Sequence, residues 1–531
     1  MQVVIPMSES GPRFARAGYT DPRPLIPVNG RPLIEHVIGM FPGVTDFVFV
    51  CSRLHFEQTP LESVLRNAAP TARIATIEPD ERGSLYAVMQ ARHLIQDDEP
   101  VVVNPCDFSL ARDFRRFSAT VRELSCDGAV TACRGFHPHA LTPNIYLCLS
   151  HENRRLTGVR EEFRPVPEGD ACEYVATGTA WYKSGELLKR YYRRAIHAGL
   201  VEPQSLMLAD SLAVFVHELP HFLPWSTPDD LEDYRRWSDY FTRSAIRRAS
   251  RASMRPGATL IPMAGDGARF ARAGRTEPKP LVPVAGTPML ERALDTLPAS
   301  SRTVAICRLD HLKSPGFAKK LRAVKPDIET IWLSHKTEGQ ACTCLQAESA
   351  LDRGAPVMVA PCDCSLVYDE DAFEALAGPG GADCVAFTFR NHPHANRNPR
   401  QYGWVTTGPD GLAEHVECRI VPPGNVRAAN GLTGMFWFRE ARMMSAAIRR
   451  LIAENRRIGD EFWLDSVLEL LIEDGRRVQP LEVAHYIRFN TPEDVRTFEY
   501  WQSYFNVGQA FPPAHASPSV TQSHYPAVYQ S

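Results

Sequence analysis

The chain carries one long sequence twice. Residues 5–35 read IPMSESGPRFARAGYTDPRPLIPVNGRPLIE, and residues 261–291, 256 positions later, read IPMAGDGARFARAGRTEPKPLVPVAGTPMLE. The same interval carries Asp107 in VVVNPCDFS onto Asp363 in VMVAPCDCS, and Thr177-Gly178 onto Thr433-Gly434. Towards the ends, STPDDLEDYRRWSDYF at 226–241 matches NTPEDVRTFEYWQSYF at 490–505. A period this long is a whole domain, not a solenoid unit. The 531 residues are therefore read as two copies, each long enough to bury a core of its own.

We place the first copy at 1–245, a linker at 246–258, the second copy at 259–507 and a tail at 508–531. The linker is basic, built of small residues and ends in Pro-Gly. The tail is rich in Pro, Ser, Ala and His and is expected to be disordered. Within each copy, short apolar runs alternate with helical patterns. In the second copy ATLIPMA, TVAICR, DIETIWLS, PVMVAPCD and DCVAFTF read as strands, and TPMLERALDTL and GQACTCLQAESAL as helices. Such alternation predicts a layered α/β domain with a mostly parallel sheet. The strands lack a two-residue polar alternation, so burial on both faces is expected. Ligands of such sheets sit at the C-terminal ends of the strands.

The formal charge of −3 provides no basic field for nucleic acid or an anionic membrane. No apolar run approaches the roughly 18 residues that span a bilayer. MQVVIPMSESGPRF has neither a basic start nor a long apolar stretch, so no signal peptide is read there. The expectation is a cytoplasmic protein with no membrane insertion. The 13 cysteines are scattered and often lie in apolar runs, which suits reduced core thiols. The pairs Cys342/Cys344 and Cys362/Cys364 lack the spacing of a zinc site.

The first strand of the second copy runs into Ala264-Gly265-Asp266-Gly267-Ala268-Arg269, followed by Pro278-Lys279-Pro280. Glycines let backbone amides approach a triphosphate. Arg269 presents a planar fork for phosphate oxygens, and Lys279 a compact charge held between prolines. Without those cations the loop would read as a tight turn. Gly339 and Gln340 open a helix after DIETIWLS, where close ligand approach is possible. Asp363 ends an apolar strand, a place that also suits a turn residue. His-Pro-His-Ala occurs at 137–140 and 392–395; with no third ligand in sight and a proline between the histidines, it reads as structural.

These motifs resemble the sugar-phosphate nucleotidyltransferases, the nucleotide-sugar pyrophosphorylases, whose signature is A-G-x-G-[ST]-R-[FL] followed by P-K-P-[ML]. The resemblance covers nearly all of both copies and is nearest the branch found with bacterial surface polysaccharide genes. Ala268 departs from the usual Ser or Thr. The resemblance implies two tandem Rossmann-like (GT-A-like) nucleotidyltransferase domains, each a mixed, mostly parallel sheet flanked by helices. It implies an NTP and a sugar 1-phosphate as substrates and Mg²⁺ as cofactor. Ala264, Gly265, Gly267, Gly339 and Gln340 would bind nucleotide, the last two at the base. Arg269, Lys279 and Asp363 would carry the reaction, with Asp363 on the metal and Asn490 as a second ligand. Glu417, Arg419, Thr433, Gly434 and Glu461 would face the sugar phosphate. The family's Lys after Glu417 is missing: Cys418 stands there, and Arg419 is the replacement cation.

The first copy keeps Gly11, Arg13 and Asp107 but has Ser8-Glu9-Ser10-Gly11 in the loop and Arg23 for Lys279. Thr-x-Gly-Gln-Ala becomes Glu81-Arg82-Gly83-Ser84-Leu85, and the Glu461 segment becomes Gln204-Ser205-Leu206-Met207. The second copy is therefore expected to be catalytic and the first degenerate. Other readings are a cytidylyltransferase for a non-sugar phosphate, a glycosyltransferase, or a nucleotide-binding protein without turnover. A glycosyltransferase would carry D-x-D on its metal, whereas Cys362-Asp363-Cys364 has one Asp. The base, the sugar and the oligomeric state stay open, packing of the two copies against each other being one arrangement.

Overall fold

The structure is a computed structural model. It describes residues 1–506 apart from Ser10, 79–81, 110–112, 142–143, 165–173 and 250–254. The tail at 508–531 and the centre of the linker, 250–254, lie outside the described residues, as does Glu81. Of the rest of that linker, 246–249 ends the helix Pro228–Ala249, and the strand Arg255–Pro262 begins at Arg255.

Contacts divide the chain into two compact units, Asp239–Glu499 and Met1–Ser238 together with the stretch from Tyr500 onward. The division falls inside the helices Pro228–Ala249 and Pro492–Asn506 rather than in the linker. Tyr500, Trp501 and Tyr504 thus count with the first unit, where all three are buried. The Tyr500 hydroxyl donates to the Phe222 carbonyl (2.7 Å) and accepts from its amide (2.9 Å). Trp501 stacks on Trp237.

The second unit is built on one mixed sheet. Glu329–Leu333, Ser300–Arg308, Arg255–Pro262 and Val357–Val359 run parallel in that order. Asn430–Phe438 joins antiparallel, then Cys384–Phe389, then Val478–Glu482 parallel to the latter. Cys384–Phe389 is buried at every position, as continuous apolar strands covered on both faces require. Phe373, Phe387 and Trp437 fill one side, and Ile448, Leu451, Leu464 and Leu468 the other. The first unit repeats the parallel set with Arg73–Ile77, Phe47–Ser52, Gln2–Met7 and Val101–Val103. The α/β class and layering match the sequence reading. The described cysteines are buried apart from Cys342, which is half-buried. No helix among the described residues is long and apolar enough to cross a membrane.

Candidate active site

Parallel strand Arg255–Pro262 delivers the glycine loop to the C-terminal end of the second unit's sheet. Gly267 sits at φ +61° and starts the helix Ala268–Arg272, a conformation glycine adopts without strain. Its Cα faces Lys279 so closely that an added Cβ would lie 3.3 Å from the Lys279 Cβ. Loop and lysine are thereby held together. Arg269 is exposed and has no side-chain partner among the described residues.

Asp363 and Asn490 meet because of a short antiparallel ribbon. Cys364–Val367 pairs with His485–Arg488, with Cys364 opposite Arg488. The next residue outward, Phe489, donates its amide to the Asp363 carbonyl at 2.7 Å. Asp363 and Asn490 therefore emerge side by side from positions far apart in sequence. The Asn490 and Thr491 amides are capped by Asp494 at 3.0 and 2.8 Å. The ammonium of Lys279 bonds to both partners, the Asp363 carboxylate and the Asn490 amide oxygen, the latter at 2.8 Å.

Burial opposes charge on both members of this pair, and each rescues the other. Lys279 is held above the usual lysine range because Asp363 outweighs desolvation. Asp363 is held below the carboxylate range because Lys279, and further off Arg488, outweigh the same effect. Arg269 also acts on Lys279 through its charge. Lys279, Asp363 and Asn490 thus meet in space, and the charge of Arg269 is felt at Lys279.

The base segment is fixed by a different contact from the one the sequence suggests. Gly339 has φ +123°, and an added Cβ would lie 2.6 Å from the Phe462 nitrogen and closer to its carbonyl oxygen. Packing against Phe462 by itself requires a glycine here. Ala341 N donates to Phe462 O (3.1 Å) and Phe462 N to Glu338 O (2.8 Å), joining the Gln340 helix to the Glu461 segment. Lys336 lies between Asp266 of the loop (3.7 Å) and Glu461 (3.6 Å).

Of the acceptor residues, Glu417 is exposed on the strand Ala413–Cys418, opposite Trp404. Arg419 follows Cys418, where the family lysine is missing. Its backbone is left-handed (φ +61°) and its guanidinium lies 4.2 Å over the Trp463 ring. Thr433 is buried, its hydroxyl donating to Phe387 O (3.0 Å) and accepting from Met435 N (3.2 Å). Gly434, at φ +85°, lets the sheet pass close to Pro361, two residues before Asp363.

Two residues outside every sequence motif, Arg488 and Tyr402, meet His394 of the His-Pro-His-Ala motif. Arg488, 6% exposed, donates to the Tyr402 hydroxyl at 2.7 Å and faces Asp494 at 3.2 Å. The same hydroxyl is 2.9 Å from His394 Nδ1. A charged residue inside the apolar strand HYIR was the available signal for the first. A separate concavity of about 290 Å³, lined by Phe270, Arg275, Pro492 and Arg496, contains none of the cluster.

The first unit reproduces the scaffold with different chemistry. Gly11 has the same left-handed turn (φ +65°), Arg13 the same exposure, and Trp225 N donates to Asp107 O at 2.7 Å. Arg23 takes the lysine's place, bonding Asp107 at 2.6 Å and Glu9 at 2.9 Å. Burial opposes its charge, but Asp107 and Glu9 raise its pKa further than burial lowers it. Ser226 stands where Asn490 does, and Pro224, opposite Phe108, where Arg488 does. The cleft around Arg23, of about 200 Å³, is lined by Glu9, Gly83, Asp107 and Phe108 among others.

Each α/β unit thus carries a glycine loop, a cation and a strand-end aspartate at the C-terminal ends of its parallel strands. Residues 8–163 and 259–459 match the family described as the MobA-like NTP transferase domain, and the chain belongs to that family. It is a nucleotidyltransferase present as two copies. Residues of the chain are 29% identical over 159 positions to the bifunctional protein GlmU of Rhodopseudomonas palustris (strain BisB5). That match covers 29% of this chain and 32% of the relative, so the chain spans about a third of the relative's length. Among solved structures, the nucleoside-diphosphate-sugar pyrophosphorylase from Vibrio cholerae RC9 is 18% identical, covering 45% of this chain and 99% of its own, at a TM-score of 0.38. The inositol-1-phosphate CTP transferase from T. maritima is 12% identical, covering 48% and 98%, at 0.37.

Proposed function

We propose that the second copy joins an NTP to a sugar 1-phosphate, releasing pyrophosphate and an NDP-sugar for surface polysaccharide synthesis. The observation that carries this is the Lys279 ammonium gathered by Asp363 and Asn490 beneath the glycine loop, within reach of Arg269's charge. One carboxylate and one amide oxygen already converge on a cation there. That donor set suits Mg²⁺, which keeps waters and phosphate oxygens in its shell. Among the described residues no cluster of three or more His, Cys, Asp or Glu could hold a metal alone, so substrate and water would complete the shell. Bound there, the ion would offset charge at the α-phosphate.

The chain's own residues do the rest. Loop amides and Arg269 hold the β- and γ-phosphates. Lys279 offsets charge as an acceptor phosphate oxygen attacks the α-phosphorus in line. The α–β bond breaks and its electron pair leaves with pyrophosphate. The attacking oxygen is already anionic, so positioning and charge stabilisation suffice without a general base. A pyrophosphate-release screen of the common NTPs against sugar 1-phosphates, with phosphorylated alcohols as a second acceptor arm, tests the reading. Turnover with a sugar 1-phosphate supports it; turnover with phosphorylated alcohols alone replaces it with a cytidylyltransferase-type activity.

The first copy is proposed not to turn over. Arg23 engages Asp107 directly, Glu9 adds a negative charge where phosphates would lie, and Ser226 offers a shorter ligand than Asn490. The full chain, titrated with Mn²⁺ in saturating pyrophosphate and followed by electron paramagnetic resonance, should bind one ion per chain. Asp363→Ala should abolish that binding and Asp107→Ala leave it intact. Two equivalent ions per chain would contradict the assignment.

A further inference from the structure

The repeated His-Pro-His-Ala motif has different surroundings in the two copies. In the first, His139 Nδ1 lies 3.0 Å from Asp230. In the second, the equivalent His394 meets Tyr402 instead, and Asp494 faces Arg488. Arg488 has no counterpart in the first copy, where the ribbon carries Pro224.

Directionality along this line fixes the histidine. A guanidinium donates only, so the Tyr402 oxygen accepts from Arg488 at 2.7 Å. The Tyr402 proton then has one acceptor among the described residues, His394 Nδ1 at 2.9 Å. Nδ1 being an acceptor, the proton of the neutral ring sits on Nε2. Burial, then the charges of Arg488, Arg397 and Arg269, push His394 down to about 3, so the ring stays neutral at physiological pH. Nε2 has no partner among the described residues. Arg269 and Arg397 likewise have no carboxylate partner among them. A neutral donor held in one tautomer, near the charges of Arg269 and Arg397 that no carboxylate among the described residues pairs, is suited to an anion.

We propose that His394 is a substrate-binding residue of the second copy. It donates Nε2–H to a substrate phosphate oxygen, with Arg488 and Tyr402 as positioning residues behind it and Arg397 adding charge. This rests on the nucleotidyltransferase reading of the same cleft. It assigns a ligand contact to a motif that otherwise reads as structural. The phosphate belongs either to the triphosphate or to the acceptor, and the two arms of the test separate them.

Calorimetric titration of the full chain tests it without turnover. Inorganic pyrophosphate, with Mg²⁺ present, probes the triphosphate side. Inorganic phosphate, added after saturation with NTP, probes the acceptor side. His394→Ala should weaken one of the two by tenfold or more. Tyr402→Phe, which keeps the ring and frees the tautomer, should weaken the same one by about threefold. The double variant should be no weaker than His394→Ala, because both act through one contact. Thermal midpoints close to wild type establish that the variants are folded; if His394→Ala is not, Tyr402→Phe alone decides. Both affinities within twofold of wild type in a folded variant overturn the proposal. Loss of pyrophosphate binding places His394 at the triphosphate, and loss of phosphate binding at the acceptor. A chain that binds these anions through His394 yet shows no turnover in the substrate screen would instead sink the reaction proposed above.

Discussion

Lys279→Ala is expected to lower turnover by about 10²–10³-fold, the usual consequence of removing one preorganised charge from a transition state. The ammonium is the only group that touches both Asp363 and Asn490 among the described residues, so its loss removes charge and disturbs both oxygen ligands. The two side chains are 20% and 19% exposed, so the substitution leaves a largely buried carboxylate without its nearest cation. Arg488 still acts on that carboxylate, and the stability loss should stay within roughly 1–3 kcal/mol. Lys279→Arg should not restore activity. A planar fork does not replace a point charge, and Arg23 shows what it does on this scaffold: it bonds the aspartate and reaches for Glu9. Steady-state kinetics alongside thermal unfolding separates lost chemistry from lost fold.

Trp501→Ala should destabilise the first unit by about 3–5 kcal/mol, although the residue lies at the far end of the sequence. Trp501 is fully buried, stacked on Trp237 and edge-on to Tyr234. Its neighbours Tyr500 and Tyr504 close the same aromatic cluster. Hydrogen exchange should quicken in Gln2–Met7 and Phe47–Ser52 while Cys384–Phe389 stays protected. A chain ending at Glu499 should show the same loss in larger measure. Residues 1–249 produced alone should also be unstable, so comparison of separated halves would confuse folding with activity. Unchanged exchange in Gln2–Met7 after truncation would remove this reading of the C-terminal helix.

Much of this was legible in the sequence, and what was not has identifiable physical reasons. The duplication set the architecture, and strand–helix alternation set the α/β class. Lys279 and Asp363, singled out by motifs, and Asn490, named from the family resemblance, meet in space. Arg488 and Tyr402 were not legible, and the His394 motif gave no partner, because their relation depends on a ribbon pairing Cys364 with Arg488 and on a hydroxyl 86 positions away in sequence. Arg419 was named as the replacement cation, but its left-handed backbone and its place over Trp463 have no signal in one dimension. The helical ends at 226–241 and 490–505 match so closely that each suggests packing within its own copy. The contacts of Trp501 and Tyr500 place them in the first unit's core.

The central claim is that nucleotidyl transfer occurs at the Asp363 cleft and not at its Asp107 counterpart. Asp363→Asn and Asp107→Asn, each in the full chain, are compared for transfer of label from an α-³²P NTP to the sugar 1-phosphate that the screen identifies. Transfer should vanish in Asp363→Asn and persist near wild-type rate in Asp107→Asn. Persistence in the first with loss in the second would move the active site to the other copy and contradict the claim.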